Sequence, residues 1–247
     1  MYHIGQSIED SYSYLFMKSA LTDLSQVHTV STFSELISTP FTGQNNAHCW
    51  SRQLQGDFQE IVEKLELIEP ITELSIDDLS VLELTEQGNI AREIIMNDMQ
   101  LLTEFGASPS LNLIQHYERD DELSFISTDV YSYHVDRSPI ATETFLCTYF
   151  GASSDIIAND QVEQKISIPE IRSQLYALYD GPESGFEAFL QEYYFDLHYQ
   201  PKSNALPINL GIGHLWRLAV DHPQQKVLPC VHRAPVEKGQ LRLLLIC

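Results

Sequence analysis

The amino-acid sequence predicts an α+β fold with a mostly helical part at residues 1–106 and a strand-rich part at residues 107–247. Two observations favour this division. Apolar residues of the first part recur at helical spacing, whereas the second part is rich in aromatic and β-branched residues bounded by turn residues. The chain has 247 residues, of which 43% are hydrophobic, so it can bury a sizeable core. We therefore expect a single domain.

Three helices are predicted in the first part. Residues 55–67 place apolar side chains at helical spacing, and Ser75 followed by an acidic turn is typical of a helix start. The longest amphipathic stretch covers residues 85–105, and Gly106 behind it is a typical helix end. We expect the many acidic residues of these helices to form solvated faces.

Six strands and two helices are predicted in the second part. The strands are expected at residues 111–117, 123–136, 142–150, 208–218, 226–232 and 241–247. The helices are expected at residues 169–179 and 185–194, the first with a proline near its start. These helices would form an insertion at residues 169–200 within the strand-rich part.

The charge balance limits the partners of the protein. Lys and Arg number 14 against 35 Asp and Glu, a formal net charge of −21. Such a surface repels phosphate backbones and anionic lipid, so we expect neither nucleic acid nor membrane as a partner. The first ten residues lack the basic and apolar regions of a secretory signal. The four cysteines form no C-x-x-C pair, which favours a cytoplasmic protein with inert, buried thiols.

Four residues of the strand-rich part form a possible reaction centre. His134 and Asp136 are two residues apart, so in a strand their side chains point to one face. His232 closes another predicted strand, and Arg242 follows at a spacing that suits the next strand. Two histidines and one carboxylate on one face of a metal are the ligands of non-haem Fe(II) oxygenases. Arginine can bind the remote carboxylate of a co-substrate in a bidentate pair.

The sequence therefore predicts an Fe(II)/2-oxoglutarate-dependent oxygenase-like protein with a double-stranded β-helix core, of the cupin-like or jelly-roll kind. His134, Asp136 and His232 would bind the metal, and Arg242 would bind 2-oxoglutarate. We assign no catalytic residue beyond these ligands, and the substrate would be a small molecule or a protein. Secondary candidates for the site are His214, Arg233 and Tyr133.

Two other interpretations of the same residues stay open. In the first, the ligands hold Zn²⁺ in a closed tetrahedral site, joined by His214 or His222, in a non-enzymatic metal-binding protein. In the second, the chain is an interaction module without a metal. His134 would then bond to a neighbouring carbonyl, and Arg242 would pair with one of the many acids.

Several segments resemble a bacterial and fungal family of uncharacterised domains. The family shows F-H-x-D, T-Y-x-G-P-G-T, V-H-R-S-P and R-L-L-L segments. This sequence has Y-H-V-D at residues 133–136, T-Y-F-G at residues 148–151, V-H-R-A-P at residues 231–235 and R-L-L-L at residues 242–245. Residues 46–52 are similar to an N-terminal stretch of that family with W-x-R, so the resemblance covers the chain from about residue 45 onward.

The resemblance implies an iron and 2-oxoglutarate site at the four residues above, and a link to metal homeostasis, because family members often occur beside zinc-homeostasis genes. Three departures bear on the site. The loop after Gly151 lacks the family's P-G-T, and Ala234 stands where the family has serine. Leu244 occupies the place of the serine that often accompanies the co-substrate arginine in oxygenases.

Overall fold

The computed structural model describes residues 26–236 and 238–247. The stretch on which the expectation about a secretory signal depends, residues 1–10, lies outside the described residues. So do the first 25 residues of the expected helical part. The described chain is α+β, with two mostly antiparallel sheets and two groups of helices.

The helices and strands have the following bounds. The α-helices are α1 Phe33–Ser38, α2 Phe58–Lys64, α3 Ile76–Ser80, α4 Glu86–Phe105, α5 Pro169–Leu178 and α6 Phe186–Glu192. The strands are β1 Val27–Val30, β2 Ala47–Trp50, β3 Ile71–Leu74, β4 Ser110–Ile114, β5 Tyr133–His134, β6 Glu143–Phe150, β7 Asp155–Ile157, β8 Val162–Gln164, β9 His198–Pro201, β10 Ile208–Asn209, β11 Leu215–Ala219, β12 Val231–Arg233 and β13 Arg242–Ile246. Short 3₁₀ turns connect several of them.

The strands form a larger and a smaller sheet. The larger sheet has the order β1-β2-β11-β6-β13-β4-β3, and the smaller one has the order β10-β7-β12-β5-β9-β8. The pair β1 and β2 is parallel, and neighbouring strands elsewhere in the two sheets run antiparallel. From β4 to β7 the chain crosses from one sheet to the other at every strand. This arrangement is consistent with a jelly-roll-like β-sandwich.

The larger sheet is buried on both faces. In β6, Phe145, Cys147 and Tyr149 pack against helices α1 to α4, whereas Leu146 faces the core between the sheets. In β13, Leu244 likewise faces the core between the sheets. Strands covered on both sides need apolar residues at successive positions, which explains the run of Phe145, Leu146 and Cys147 in the centre of β6. Three polar side chains on the inner face, Thr144, Thr148 and Arg242, belong to the site described below.

The helix signals of the sequence are confirmed. Thr85 caps α4 by accepting a hydrogen bond from the backbone N–H of Gly88, and Gly106 ends it in the left-handed conformation with φ 98°. Ser75 and Asp78 form a reciprocal capping box at α3. Helix α5 begins at Pro169, as expected. In the described chain, no helix is both long and apolar enough to cross a membrane.

Three predicted strands are wrong in extent. Of residues 226–232, Val231 and His232 alone belong to a strand, since Pro229 just before them has no backbone N–H to donate to a strand pair. Only Tyr133 and His134 of residues 123–136 form a strand, because Asp129 accepts hydrogen bonds from the backbone N–H groups of residues 131 and 132 and so stabilises a loop. Residues 208–218 divide into β10 and β11, since Gly211 and Gly213 adopt positive φ angles of 72° and 80°. The part expected to be helical also contributes β1, β2 and β3 to the larger sheet.

Candidate metal centre

The two histidines of the predicted site lie on neighbouring strands of the smaller sheet. His134 in β5 and His232 in β12 are direct Cα partners in an antiparallel pair, so their side chains project from the same face. Their ring centroids are 4.5 Å apart. Asp136 follows two residues after His134 and lies on the same side. Pairing of the strands thus brings together residues that are distant in the sequence.

Each of these three residues offers a ligand atom, and the three atoms all lie within 4.8 Å of one another. Nε2 of His232 is 3.7 Å from Oδ1 of Asp136. Two donors that each lie about 2.1 Å from a shared ion can adopt such a separation. The described residues contain this one group of three histidine, cysteine or acidic side chains with the spacing of a metal site.

Hydrogen bonds to the backbone orient both histidines. Nδ1 of His134 lies 2.8 Å from the carbonyl oxygen of Ser132, and Nδ1 of His232 lies 3.2 Å from that of Cys230. A carbonyl oxygen can only accept, so the proton of each ring belongs on Nδ1, and Nε2 keeps its lone pair. The bond from His134 to a nearby carbonyl, expected for a purely structural histidine, is therefore also the bond that prepares a metal ligand.

The acidic ligand is oriented by a hydroxyl group. Thr144 in β6 donates a hydrogen bond to Oδ2 of Asp136, which leaves Oδ1 on the side of His232. Burial opposes the charge of Asp136, but His232 and the Thr144 hydroxyl together hold the pKa of its carboxyl below the ordinary value. Asp136 is thus an anion at neutral pH.

Burial makes His134 a neutral base. Burial, assisted by the charge of His232, lowers the pKa of His134 to about 4. At neutral pH the imidazole therefore carries one proton, which the hydrogen bond to Ser132 assigns to Nδ1. A neutral imidazole beside a carboxylate is the protonation state that metal binding requires.

Arg242 is buried on the inner face of the larger sheet, at the start of β13, with 5% of its surface exposed. Its guanidinium donates hydrogen bonds to the hydroxyl groups of Tyr117, Thr148 and Ser154, at 3.3, 3.0 and 2.9 Å. The ion pairs found among the described residues do not include Arg242.

The guanidinium of Arg242 is thus incompletely satisfied. Its Nε is buried and has no hydrogen-bond partner within the described chain. Burial lowers the pKa of the guanidinium, because no carboxylate offsets the loss of hydration. A buried cation bonded only to neutral hydroxyls is costly unless an anion joins it.

One cavity connects the metal group with the arginine. It has a volume of about 160 Å³ and lies between the two sheets. His134, Asp136 and His232 line it on the smaller sheet, and Arg242 lines it on the larger sheet. Leu146 of β6 and Leu244 of β13 form an apolar part of its wall. The cavity is also lined by Tyr117, Val130, Ser154, Ala234 and Ile246. An elongated anion in this cavity could contact the arginine at one end and a metal at the other.

The secondary candidates lie elsewhere. Nδ1 of His214 accepts a hydrogen bond from the backbone N–H of Arg52, and His214 does not join the metal group. Arg233 binds the carboxylate of Asp155 at 2.9 Å and lies over the ring of Tyr133, 4.5 Å from its centroid. Because Arg233 and Tyr133 each neighbour a metal-ligand histidine in a strand, they point to the opposite face of the smaller sheet.

A fourth ligand for a closed zinc site is not supplied by the predicted histidines. Nδ1 of His222 accepts a hydrogen bond from the backbone N–H of Gln224, and the group of three with metal-site spacing does not include His222 or His214. The arrangement in the described residues is a group of three donors beside a cavity.

Sequence reasoning missed a third histidine next to the group. His198 in β9 is the direct partner of His134 across the strand pair, and their ring centroids are 5.8 Å apart. Three histidines therefore form a row across β12, β5 and β9. Burial lowers the pKa of His198 to about 3, assisted by the charges of His134 and Lys165. The aromatic residues around His198 resemble a helix surface in the sequence, so no local pattern indicates the strand.

Comparison with known proteins adds no relative. Searches of family models, curated proteins and solved structures found no match to this chain. The functional argument therefore depends on the geometry of the chain's own residues.

Proposed function

We propose that this protein binds Fe(II) and 2-oxoglutarate and acts as an oxygenase on a third molecule. One observation supports this proposal above the others. Two histidines, one carboxylate and a buried arginine that pairs with no described carboxylate line a single cavity. Each part of this arrangement is common, but the combination fits a metal and an anionic co-substrate bound side by side.

The donor set fits ferrous iron. Two imidazole nitrogens and one carboxylate oxygen on one side of an ion leave positions for a co-substrate and dioxygen. The carboxylate of Asp136 would offset part of the charge, and the fixed Nδ1 protons would present both Nε2 atoms without rotation of the rings. A three-donor group with no fourth ligand from His214 or His222 favours this open site over a closed zinc site.

The arginine fits the distal carboxylate of 2-oxoglutarate. Arg242 already has three neutral hydrogen-bond partners, and a carboxylate would provide the charge that they lack. Ser154 lines the same cavity and could donate its hydroxyl to the same anion. Because Leu146 and Leu244 border the cavity, the aliphatic centre of the molecule would contact apolar side chains.

The strand order supports a double-stranded β-helix. Strands β4, β6, β11 and β13 are contiguous in the larger sheet as β11-β6-β13-β4. Strands β5, β7, β10 and β12 are contiguous in the smaller sheet as β10-β7-β12-β5. Eight strands divided between two facing sheets in this way would form a jelly roll, with β8, β9 and the helices α5 and α6 inserted between its fourth and fifth strands.

The residues of the site would have separate roles. When bound, ferrous iron would supply the activation of dioxygen that accompanies oxidative decarboxylation of a 2-oxo acid. His134, Asp136 and His232 would hold the ion, and Thr144 would keep Asp136 in its orientation. Arg242 would bind the co-substrate and determine how far it reaches toward the ion. The apolar wall would keep bulk water away from the open positions.

Anaerobic reconstitution tests this proposal. We expect the protein with Fe(II) and 2-oxoglutarate to develop a visible absorption band, and to release succinate when air is admitted. His134→Gln should abolish the band, whereas His222→Gln, which changes a histidine outside the group, should retain it. A protein that gives neither band nor succinate, or that returns zinc with four protein ligands on metal analysis, would contradict the oxygenase proposal.

The co-substrate site has its own control. Arg242→Met should still bind iron, but its affinity for 2-oxoglutarate should fall about 100-fold, because a charge-assisted bidentate contact is lost. Arg172→Met removes an arginine that pairs with Glu187 on the helical insertion and should leave both affinities unchanged. Equal affinity of the wild type and Arg242→Met for 2-oxoglutarate would remove Arg242 from the site.

A further inference from the structure

A second cavity borders the metal group. It is a cleft of about 280 Å³ that shares Val130, His134 and Asp136 with the arginine cavity. Its other walls come from the loop before β5 and from the segment between α6 and β9. A molecule in the cleft would therefore lie next to the metal group without entering the space beside Arg242.

The charged groups of this cleft favour a cation. Asp129 and Asp136 line it. Asp129 accepts hydrogen bonds from backbone N–H groups of its own loop and interacts with the charge of Lys165, but the ion pairs of the described residues do not include it. The basic residue in the cleft lining, Arg137, already forms ion pairs with Asp196 at 2.5 Å and Asp221 at 2.9 Å. Behind the wall, the ammonium group of Lys165 donates to the Ser127 carbonyl and the Ser132 hydroxyl.

Two tyrosines at the cleft expose their rings. Tyr193 and Tyr194 line the cleft and are 54% and 61% exposed. Tyr194 has a φ of 60°, and it is the one residue other than glycine in the described ranges with a positive φ. A bulky residue in this conformation costs free energy, and such strain concentrates at binding sites. Faces of tyrosine rings attract ammonium and guanidinium groups.

His198 adds a buried polar atom to the same wall. It lines the cleft, and 5% of its surface is exposed. Its Nδ1 has no hydrogen-bond partner among the residues described. Buried polar atoms without a partner are rare in folded proteins and call for a ligand or a water molecule. The ring of His198 lines the cleft, so a cation bound there would lie next to this ring, while Nδ1 itself is enclosed by protein atoms.

We propose that this cleft binds an organic cation, a primary ammonium or guanidinium group, against Asp129, the two tyrosines and His198. The inference rests on the proposed function in one respect: the cation would anchor the oxygenase substrate next to the metal. The cleft would then take a cationic substrate and the arginine cavity an anionic co-substrate, and both molecules would lie next to His134 and Asp136.

Matched amino-acid probes test the proposal in the protein without iron or 2-oxoglutarate. The probes are the N-acetyl, N-methylamide derivatives of lysine, arginine, norleucine and glutamate, followed by the NMR signals of tyrosine and histidine rings. We expect the lysine and arginine probes to shift the signals of Tyr193, Tyr194 and His198. They should also bind at least about fivefold more tightly than norleucine.

Substitutions separate the cleft from general attraction by an acidic surface. Asp129→Asn should lower the affinity for the cationic probes about fivefold and leave the affinity for the norleucine probe unchanged. Asp180→Asn, at an exposed position of the insertion, should change neither affinity. Tyr194→Leu keeps a bulky side chain but removes the aromatic ring, so it should also lower the affinity for the cationic probes.

Three results would overturn the proposal: no shift of the cleft signals by either cation, norleucine or glutamate bound as tightly as lysine, or equal effects of Asp129→Asn and Asp180→Asn. None of these results depends on iron or on 2-oxoglutarate. Failure here would therefore leave the absorption band and succinate release of the proposed function intact, and loss of those signals would leave cation binding measurable.

Discussion

The two faces of the larger sheet each bury an arginine, and the two arginines have opposite surroundings. On the helix-covered face, Arg52 binds both carboxylate oxygens of Asp98, at 2.6 and 2.7 Å, and Tyr149 donates its hydroxyl to the same carboxylate. On the face toward the smaller sheet, Arg242 is bonded to neutral hydroxyls of Tyr117, Thr148 and Ser154.

The pKa values of the two guanidinium groups reflect these surroundings: that of Arg52 is raised and that of Arg242 is lowered. Burial alone would lower the pKa of Arg52, but the hydrogen bonds to Asp98 hold it above its ordinary value. For Arg242, burial lowers the pKa and only the phenol of Tyr117 and a thiol oppose the effect. A buried charge matched by the fold stabilises the native state as a unit. A buried charge left unmatched costs stability and is suited to a ligand of opposite sign.

The largest expected effect comes from breaking the matched pair. Asp98→Asn keeps the shape of the side chain but leaves Arg52 as an uncompensated buried charge. We expect the free energy of unfolding to fall by about 3 kcal/mol, measured by urea denaturation. Asp180→Asn makes the same chemical change at an exposed position and should have almost no effect. A loss of less than about 1 kcal/mol for Asp98→Asn would show that the pair is not a structural unit.

A pH change should have the next largest effect on the helix-covered face. His48 is fully buried there, and its Nε2 lies 2.7 Å from Oδ1 of Asn45. Burial together with the charge of Arg217 lowers the pKa of His48 to about 4. Between pH 6.5 and pH 4 the unfolded chain therefore binds a proton at His48 that the folded chain does not. The free energy of unfolding falls as pH falls through this window, by up to about 1.4 kcal/mol per pH unit.

His48→Gln isolates this contribution from the other histidines. The difference in unfolding free energy between the wild type and His48→Gln should be constant above pH 7 and should change by about 2 kcal/mol on going to pH 5. Denaturation curves at a series of pH values give both quantities. Parallel pH profiles of the two proteins would show that His48 titrates alike in the folded and unfolded chains.

The contrast between the faces also explains what could be predicted from the sequence. Helix α4 was predictable because its apolar spacing, its Thr85 cap and its Gly106 end all lie within the helix or next to it. Strand β6 was predictable for the same reason, since its aromatic and β-branched residues follow one another in the chain. The grouping of His134, Asp136 and His232 followed from residue types and strand ends, and the structure brings these three within 4.8 Å.

The remaining parts of the site depend on contacts between distant segments. Strand β5 has two residues, and it exists because β12 and β9 pair with it on either side. The place of His198 beside His134 follows from that register, which no local pattern of residues 193–199 encodes. The loop of residues 120–132 is likewise fixed by side-chain bonds such as those of Asp129, which compete with strand pairing.

The smallest expected effect on stability comes from the unmatched arginine, and it is the sharpest test of the comparison. Arg242→Met removes a buried charge, with the loss of three hydrogen bonds to hydroxyls as the opposing cost. We expect the free energy of unfolding without ligands to change by less than about 1 kcal/mol, far less than for Asp98→Asn. Adding 2-oxoglutarate with Fe(II) under anaerobic conditions should raise the melting temperature of the wild type and not that of Arg242→Met. If Arg242→Met instead lost about as much stability as Asp98→Asn, the guanidinium would be a structural element of the inner face, and the difference between the two arginines would lose its functional meaning.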